Sequence, residues 1–136
     1  MNIIKGILAI VGGIVVGSLV NVGTLLLSFA LFGSPEGLDL FDAESVKTHA
    51  AGFTNLNFIG TLLAHQLGTF AGAFLAAWIA PARKMIFAVV VGVWFLLGGV
   101  YAATIVAAPL WFVAADLILY LPIAAFGGRL GAGKAE

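Results

Sequence analysis

Two ionisable side chains, His65 and Asp116, stand inside long apolar stretches of this chain. A titratable group in such a setting is costly, and it usually faces protein or water instead of lipid. A carboxylate beside an imidazole can pass a proton, hold a cationic or hydrogen-bonding ligand, or simply fasten two helices together. On a helix, Phe112, Asp116 and Tyr120 share one face, and Thr61, His65, Gly68, Thr69 and Gly72 share another. Asn21, Gln66, Tyr101 and Tyr120 are the polar residues placed to assist such a pair, with Thr104 beside Tyr101. Acid–base work on a lipid is a further use of Asp, His and Tyr.

Other chemistries find little support. A metal site would need His49, His65 and Asp116 to converge, and neither histidine lies in a ligand-spaced pattern such as HExxH, so no metal is expected. No cysteine is present, which removes disulfides, thiolate nucleophiles and thiolate metal sites. Neither GxSxG, a phosphate-binding loop nor a dinucleotide fingerprint occurs, and the run Gly131-Ala132-Gly133-Lys134 lacks the spacing of one, so no cofactor is expected. Six basic residues balance six acidic ones without a basic patch, which sets nucleic acid aside as a partner.

The elements that must position His65 and Asp116 follow from composition. The chain has 136 residues, 62% hydrophobic and only 9% charged, so its expected environment is a lipid bilayer. Charges divide it into apolar blocks, and each crossing of a hydrocarbon core of ~30 Å takes about 20 helical residues. The blocks are 4–32, 58–80, 85–107 and 110–127, which predicts an all-α integral membrane protein built as a four-transmembrane-helix bundle. The first block is too long for the core of a cleaved signal, and it reads as a retained helix. The fourth carries Asp116 and Pro122; the acid costs roughly 2.5–3.5 kcal/mol on insertion scales, which its apolar neighbours offset. Pro122 should kink this helix and free the carbonyl of Ile118.

Residues 33–57 form an acidic loop with Glu36, Asp39, Asp42 and Glu44 but only Lys47 as a base. Within it Ser34-Pro35-Glu36 has the form of a helix start, and 42–51 reads as a short helix capped by Asp42. Its apolar residues suit a cap over the helix ends. Lys5, Arg83, Lys84, Arg129 and Lys134 all fall on the opposite side. The positive-inside rule then predicts a multi-pass protein of an inner or plasma membrane with both termini, including a tail at 128–136, in the cytoplasm. Trp111 and Phe112 at one end and Trp78 at the other fit interfacial belts.

This topology also sets depth. Block two and block four both run inward from the loop side, so His65 and Asp116 lie about 9–10 Å below that surface, with Asn21 within roughly 18 Å of it. In lipid, helices associate through close backbone approach at small residues. Gly60, Ala64, Gly68, Gly72, Ala76 and Ala80 repeat at intervals of four in block two, and Ala9, Gly13, Gly17 and Asn21 do so in block one. The two stripes should pack on each other within the protomer, although either can serve self-association. The glycines next to His65 should also admit the helix that carries Asp116. Two functions follow as expectations. The first is helix–helix association, as a homo-oligomer or an accessory subunit of a membrane complex. The second is binding or permeation of a proton, ion or small hydrophobic ligand at the Asp116/His65 site.

Overall fold

The computed structural model describes residues 2–134. Its elements are α1 (Ile3–Phe32), α2 (Ala43–His49) with a 3-10 turn after it (Ala50–Gly52), α3 (Asn55–Ile79), α4 (Lys84–Ile105) and α5 (Leu110–Ala132), with no strand among the described residues. Helices α1, α3, α4 and α5 are long and apolar enough to cross a membrane. The chain is therefore an all-helical, multi-pass membrane protein, and the four long helices form its bundle. Large apolar side chains such as Ile3, Leu19, Trp78, Leu97 and Ile118 cover the outside, as a lipid solvent requires.

Helix α3 is the hub, touching α1, α4 and α5. Its start is fixed by a capping box: Thr54 Oγ1 accepts from the Asn57 N–H at 3.2 Å, and the Thr54 N–H donates to Asn57 Oδ1 at 2.9 Å. The buried Asn57 amide also donates to the Gly33 carbonyl at 2.8 Å, which ties the end of α1 to the start of α3. Gly33 adopts φ 85°, so the chain can leave α1 sharply there. The Ser34-Pro35-Glu36 signal yields only a turn, closed by Leu38 N–H to the Pro35 carbonyl at 3.3 Å. Gly37, at φ 83°, turns the backbone away before a helix can propagate.

Small residues set the seams. A Cβ built on Gly13 would lie 2.7 Å from the Gly72 carbonyl oxygen, and one on Gly72 would lie 2.6 Å from that of Gly13. Gly17 and Gly68 pair likewise, at 2.6 Å in both directions. As α1 advances by four residues α3 retreats by four, so the two are antiparallel and their stripes interlock along the protomer's own seam. Ala64 and Ala76 lie fully buried in the same helix, and Gly60 accommodates Ser28. Between α3 and α5 the match is Gly127 on the Phe70 carbonyl and Gly131 on that of Phe74, so this pair runs parallel. Helix α4 returns antiparallel to α5, with Gly92 against Ala124 and Ala88 against Gly128.

These α5 contacts correct one expectation. Residues 128–132 are not tail but the last turns of α5, because Gly128, Gly131 and Ala132 are buried against neighbouring helices. Only residues 133 and 134 follow among those described, and the rest of the expected tail, 135–136, lies outside them. A core of Ala73, Ala77, Ala88, Ala124 and Ala132 fills the bundle near the α3–α4 hairpin. The helices pack closely around this core; an open cavity at the hairpin itself is lined by Ala82, Arg83, Ile86 and Phe87, and the larger aromatic side chains Phe29, Phe53, Phe58 and Phe112 gather toward the end that carries α2.

Candidate functional site

Asp116 is held on the inward face of α5, where Phe112, Asp116, Tyr120 and Ala124 follow at four-residue spacing and all are buried. Its residue exposure is 3%, so every donor within reach matters. His65 Nδ1 lies 2.9 Å from Asp116 Oδ1 and 3.0 Å from Oδ2. Gln66 Nε2 donates to Oδ1 and to the Asp116 carbonyl, both at 3.2 Å. The Tyr120 hydroxyl donates to Oδ2 at 3.2 Å. The carboxylate thus accepts from three side chains on two helices.

Gln66 and Tyr120 both donate to the Asp116 carboxyl, as they would to an ionised carboxylate; with Asp116 ionised, the ring nitrogen facing its two oxygens carries the proton, so Nδ1–H is the donor. Nε2 has no hydrogen-bond partner among the described residues and is left as an acceptor or a proton-binding atom. The ring is held by flanking aromatics, stacked on Tyr120 at 6.1 Å between centroids and tilted against Phe112 at 6.3 Å. Thr61 and Thr69, on the same helix face, return their hydroxyls to the carbonyls of Asn57 and His65 at 2.8 Å each and take no part.

Above this cluster, toward α2, lies a cavity of about 130 Å³. The His65 and Asp116 side chains form its polar floor, and Phe58, Phe112, Ala103 and Val106 are among its apolar walls. Leu40, Val46 and Phe53, from the loop between α1 and α3, cover it. Phe29, Phe53, Phe58 and Phe112 form a continuous chain of rings with centroids 5.2, 5.7 and 5.2 Å apart. This chain links the covering loop to the helices beneath.

The residues singled out from the sequence divide cleanly. His65, Asp116, Gln66 and Tyr120 come together. Asn21 comes near, sharing a second cavity with His65, but it makes no hydrogen bond to the pair and its Oδ1 is buried without a partner. Tyr101 does not join: it is 63% exposed, and its carbonyl accepts from the Thr104 hydroxyl at 2.6 Å. The reason is rotation, since Gly99 faces Tyr120 and Tyr101, two residues on, points about 200° away around α4. Gly68 and Gly72 admit α1, not the helix that carries Asp116. Gly99 gives room on that side instead, where a Cβ would come within 2.5 Å of the Tyr120 ring. Pro122 and Ile118 both lie on the exposed side of α5, so any carbonyl freed there faces away from Asp116. Phe112 is a buried wall of the cavity and not part of an interfacial belt.

Leu40, Val46 and Phe53, whose apolar character suits a cap over the helix ends, do lie over the cavity; what the sequence does not disclose is the cavity beneath them and the Gly127/Gly131 pair, although the latter carries a signal in its four-residue spacing. His49 remains in α2, with Nδ1 2.7 Å from the Ser45 carbonyl, and the described residues hold no group of three metal-ligating side chains. No family model matches this chain, and neither a curated protein nor a solved structure matches it.

Proposed function

We propose that this chain is a membrane-embedded binding protein for a small, largely apolar molecule that carries one hydrogen-bond donor. One observation carries the reading: an apolar chamber covered by a loop ends on a buried carboxylate and a half-buried imidazole whose Nε2 has no hydrogen-bond partner among the described residues. A purely structural fastener needs neither the chamber nor the free nitrogen. Asp116 fixes the ring through Nδ1, so Nε2 is left as an acceptor for a hydroxyl or amine entering from the loop end. The apolar walls take up the rest of the molecule. Permeation is the less supported form of this reading, because the alanine and glycine core fills the bundle beneath the site.

Photolabelling tests the proposal. A diazirine-bearing straight-chain alcohol added to protein in lipid nanodiscs should insert into chamber residues such as Phe53, Ala103 and Phe112. Excess unlabelled alcohol should suppress that insertion, and Ala103→Phe, which fills the chamber, should abolish it. Label confined to lipid-facing positions would rule the reading out.

Association with itself or with a larger membrane complex is the second reading. The interlocked stripes Gly13/Gly17 and Gly68/Gly72 are occupied within the protomer and no longer favour it. What favours it is the free face of α1, where Leu19, Leu26 and Leu27 are exposed and Gly23 meets nothing within 4 Å.

The orientation belongs to the same proposal. Lys5, Arg83, Lys84, Arg129 and Lys134 stand near the hairpin end, and the acidic loop stands at the other, which supports cytoplasmic termini in an inner or plasma membrane. In intact cells, an impermeant thiol reagent should label Ser45→Cys and spare Ala82→Cys; the reverse pattern would invert the protein.

A further inference from the structure

A second cavity, of about 190 Å³, lies on His65 between the helices and opens outward beside the exposed Gly98. It is lined by Asn21 of α1, His65 of α3, Phe95, Gly98 and Gly99 of α4 and Tyr120 of α5. Only His65 and Gly99 belong to both cavities, so they form the wall between this pocket and the chamber. Two acceptors there lack donors: the buried Oδ1 of Asn21, and Nε2 of His65 once Nδ1–H is given to Asp116. A buried acceptor without a partner costs roughly 1–3 kcal/mol. Water is the smallest molecule with two donors to satisfy both, and the pocket greatly exceeds the ~10–15 Å³ that one water needs.

We infer that this pocket is a hydrated site in which water donates to Asn21 Oδ1 and, while no ligand occupies the single acceptor site of Nε2 from the chamber, to His65 Nε2, and that it gives His65 a route of proton exchange separate from the chamber. The inference deepens the proposed function and rests on its reading of His65 as the anchor. A proton arriving through the pocket binds Nε2 and makes an imidazolium whose Nδ1–H stays on Asp116; loss of the same proton from Nε2 restores the neutral ring. The occupancy of Nε2 therefore switches what the chamber offers its ligand, from an acceptor to a cationic donor. Among the described residues, the titratable groups facing the imidazole are Asp116 and Tyr120, both on α5. Helix α1 presents Asn21, and α4 presents Phe95, Gly98 and Gly99, none of them charged.

The test uses the full chain in lipid nanodiscs, with His49→Gln so that His65 is the single histidine, isotope-labelled on its ring nitrogens. Water-to-imidazole magnetisation transfer should be present in this protein. Asn21→Leu should slow exchange with water about ten-fold, in line with loss of one hydrogen-bonded water, while leaving the Nδ1–H signal in place. Asn21→Thr, which keeps an acceptor, should restore it, and Ala103→Phe, which fills only the chamber, should leave it unchanged. Absence of water contact at His65 would overturn the inference, as would unchanged exchange in Asn21→Leu. Loss of the Nδ1–H signal in that variant would do the same, by tying Asn21 to the fold. Water contact removed by Ala103→Phe but not by Asn21→Leu would place the water in the chamber instead. Failure of photolabelling with the water contact intact would remove the ligand reading alone.

Discussion

Asp116→Ala is expected to destabilise the bundle by about 2–5 kcal/mol, the largest effect of any single truncation at the site. The range comes from two magnitudes. Side-chain hydrogen bonds between membrane helices average only ~0.6 kcal/mol, so those lost from His65 and Gln66 across the seam, with the Tyr120 bond within α5 taken at the same magnitude, would sum to roughly 2 kcal/mol if they acted independently. Leaving neutral donors unpaired in the interior costs more, about 1–3 kcal/mol for each that finds no new partner. His65→Leu should cost less, about 1–2 kcal/mol, since Asp116 keeps the donors Gln66 and Tyr120. Equilibrium unfolding in mixed micelles measures both. A loss below ~0.5 kcal/mol for Asp116→Ala would show that the cluster does not hold α5 to α3.

Gly68→Ile or Gly72→Ile is expected to remove most of the folded protein. At both positions the new Cβ would sit 2.6 Å from a backbone oxygen of α1, which cannot rotate out of the way as a side chain can. The whole α1–α3 seam must open, and overpacking on this scale costs at least ~3 kcal/mol. Gly23→Ile provides the control, because nothing lies within 4 Å of that position and the same β-branched side chain would meet only lipid or a partner. Size-exclusion profiles and thermal stability of the three variants should separate the two seam positions from Gly23. Equal behaviour of all three would mean that the seam is not formed as described.

The contrast between these positions also explains what the sequence disclosed. Charge placement and bilayer thickness settle how many helices there are and how deep each residue lies, so His65 and Asp116 could be matched by depth before any contact was known. Depth says nothing about rotation. A helix in lipid is apolar on every side, and only small residues mark which face meets another helix. Tyr101 therefore has the expected height but faces the wrong side of α4, and Gly68, which meets α1 as its stripe implies, does not also admit α5. The end of α5 was obscured for a related reason. Glycine reads as a helix terminator in water, yet Gly127, Gly128 and Gly131 are glycine because other helices press against them. The apolar residues Leu40, Val46 and Phe53 mark the loop as a cap, but the space left beneath it depends on how helices α3, α4 and α5 are rotated, which no local pattern encodes.

The central claim is that Asp116 holds the proton on Nδ1 of His65 and so presents Nε2 to a ligand in the chamber. Its most direct test is the ring-nitrogen spectrum of the His49→Gln protein in nanodiscs, recorded while a straight-chain alcohol is titrated in. The account predicts a protonated Nδ1 at the outset and a saturable shift of Nε2, with Nδ1 unmoved and the shift absent in Ala103→Phe. An unprotonated Nδ1, or an Nε2 resonance that ignores the alcohol, would contradict it.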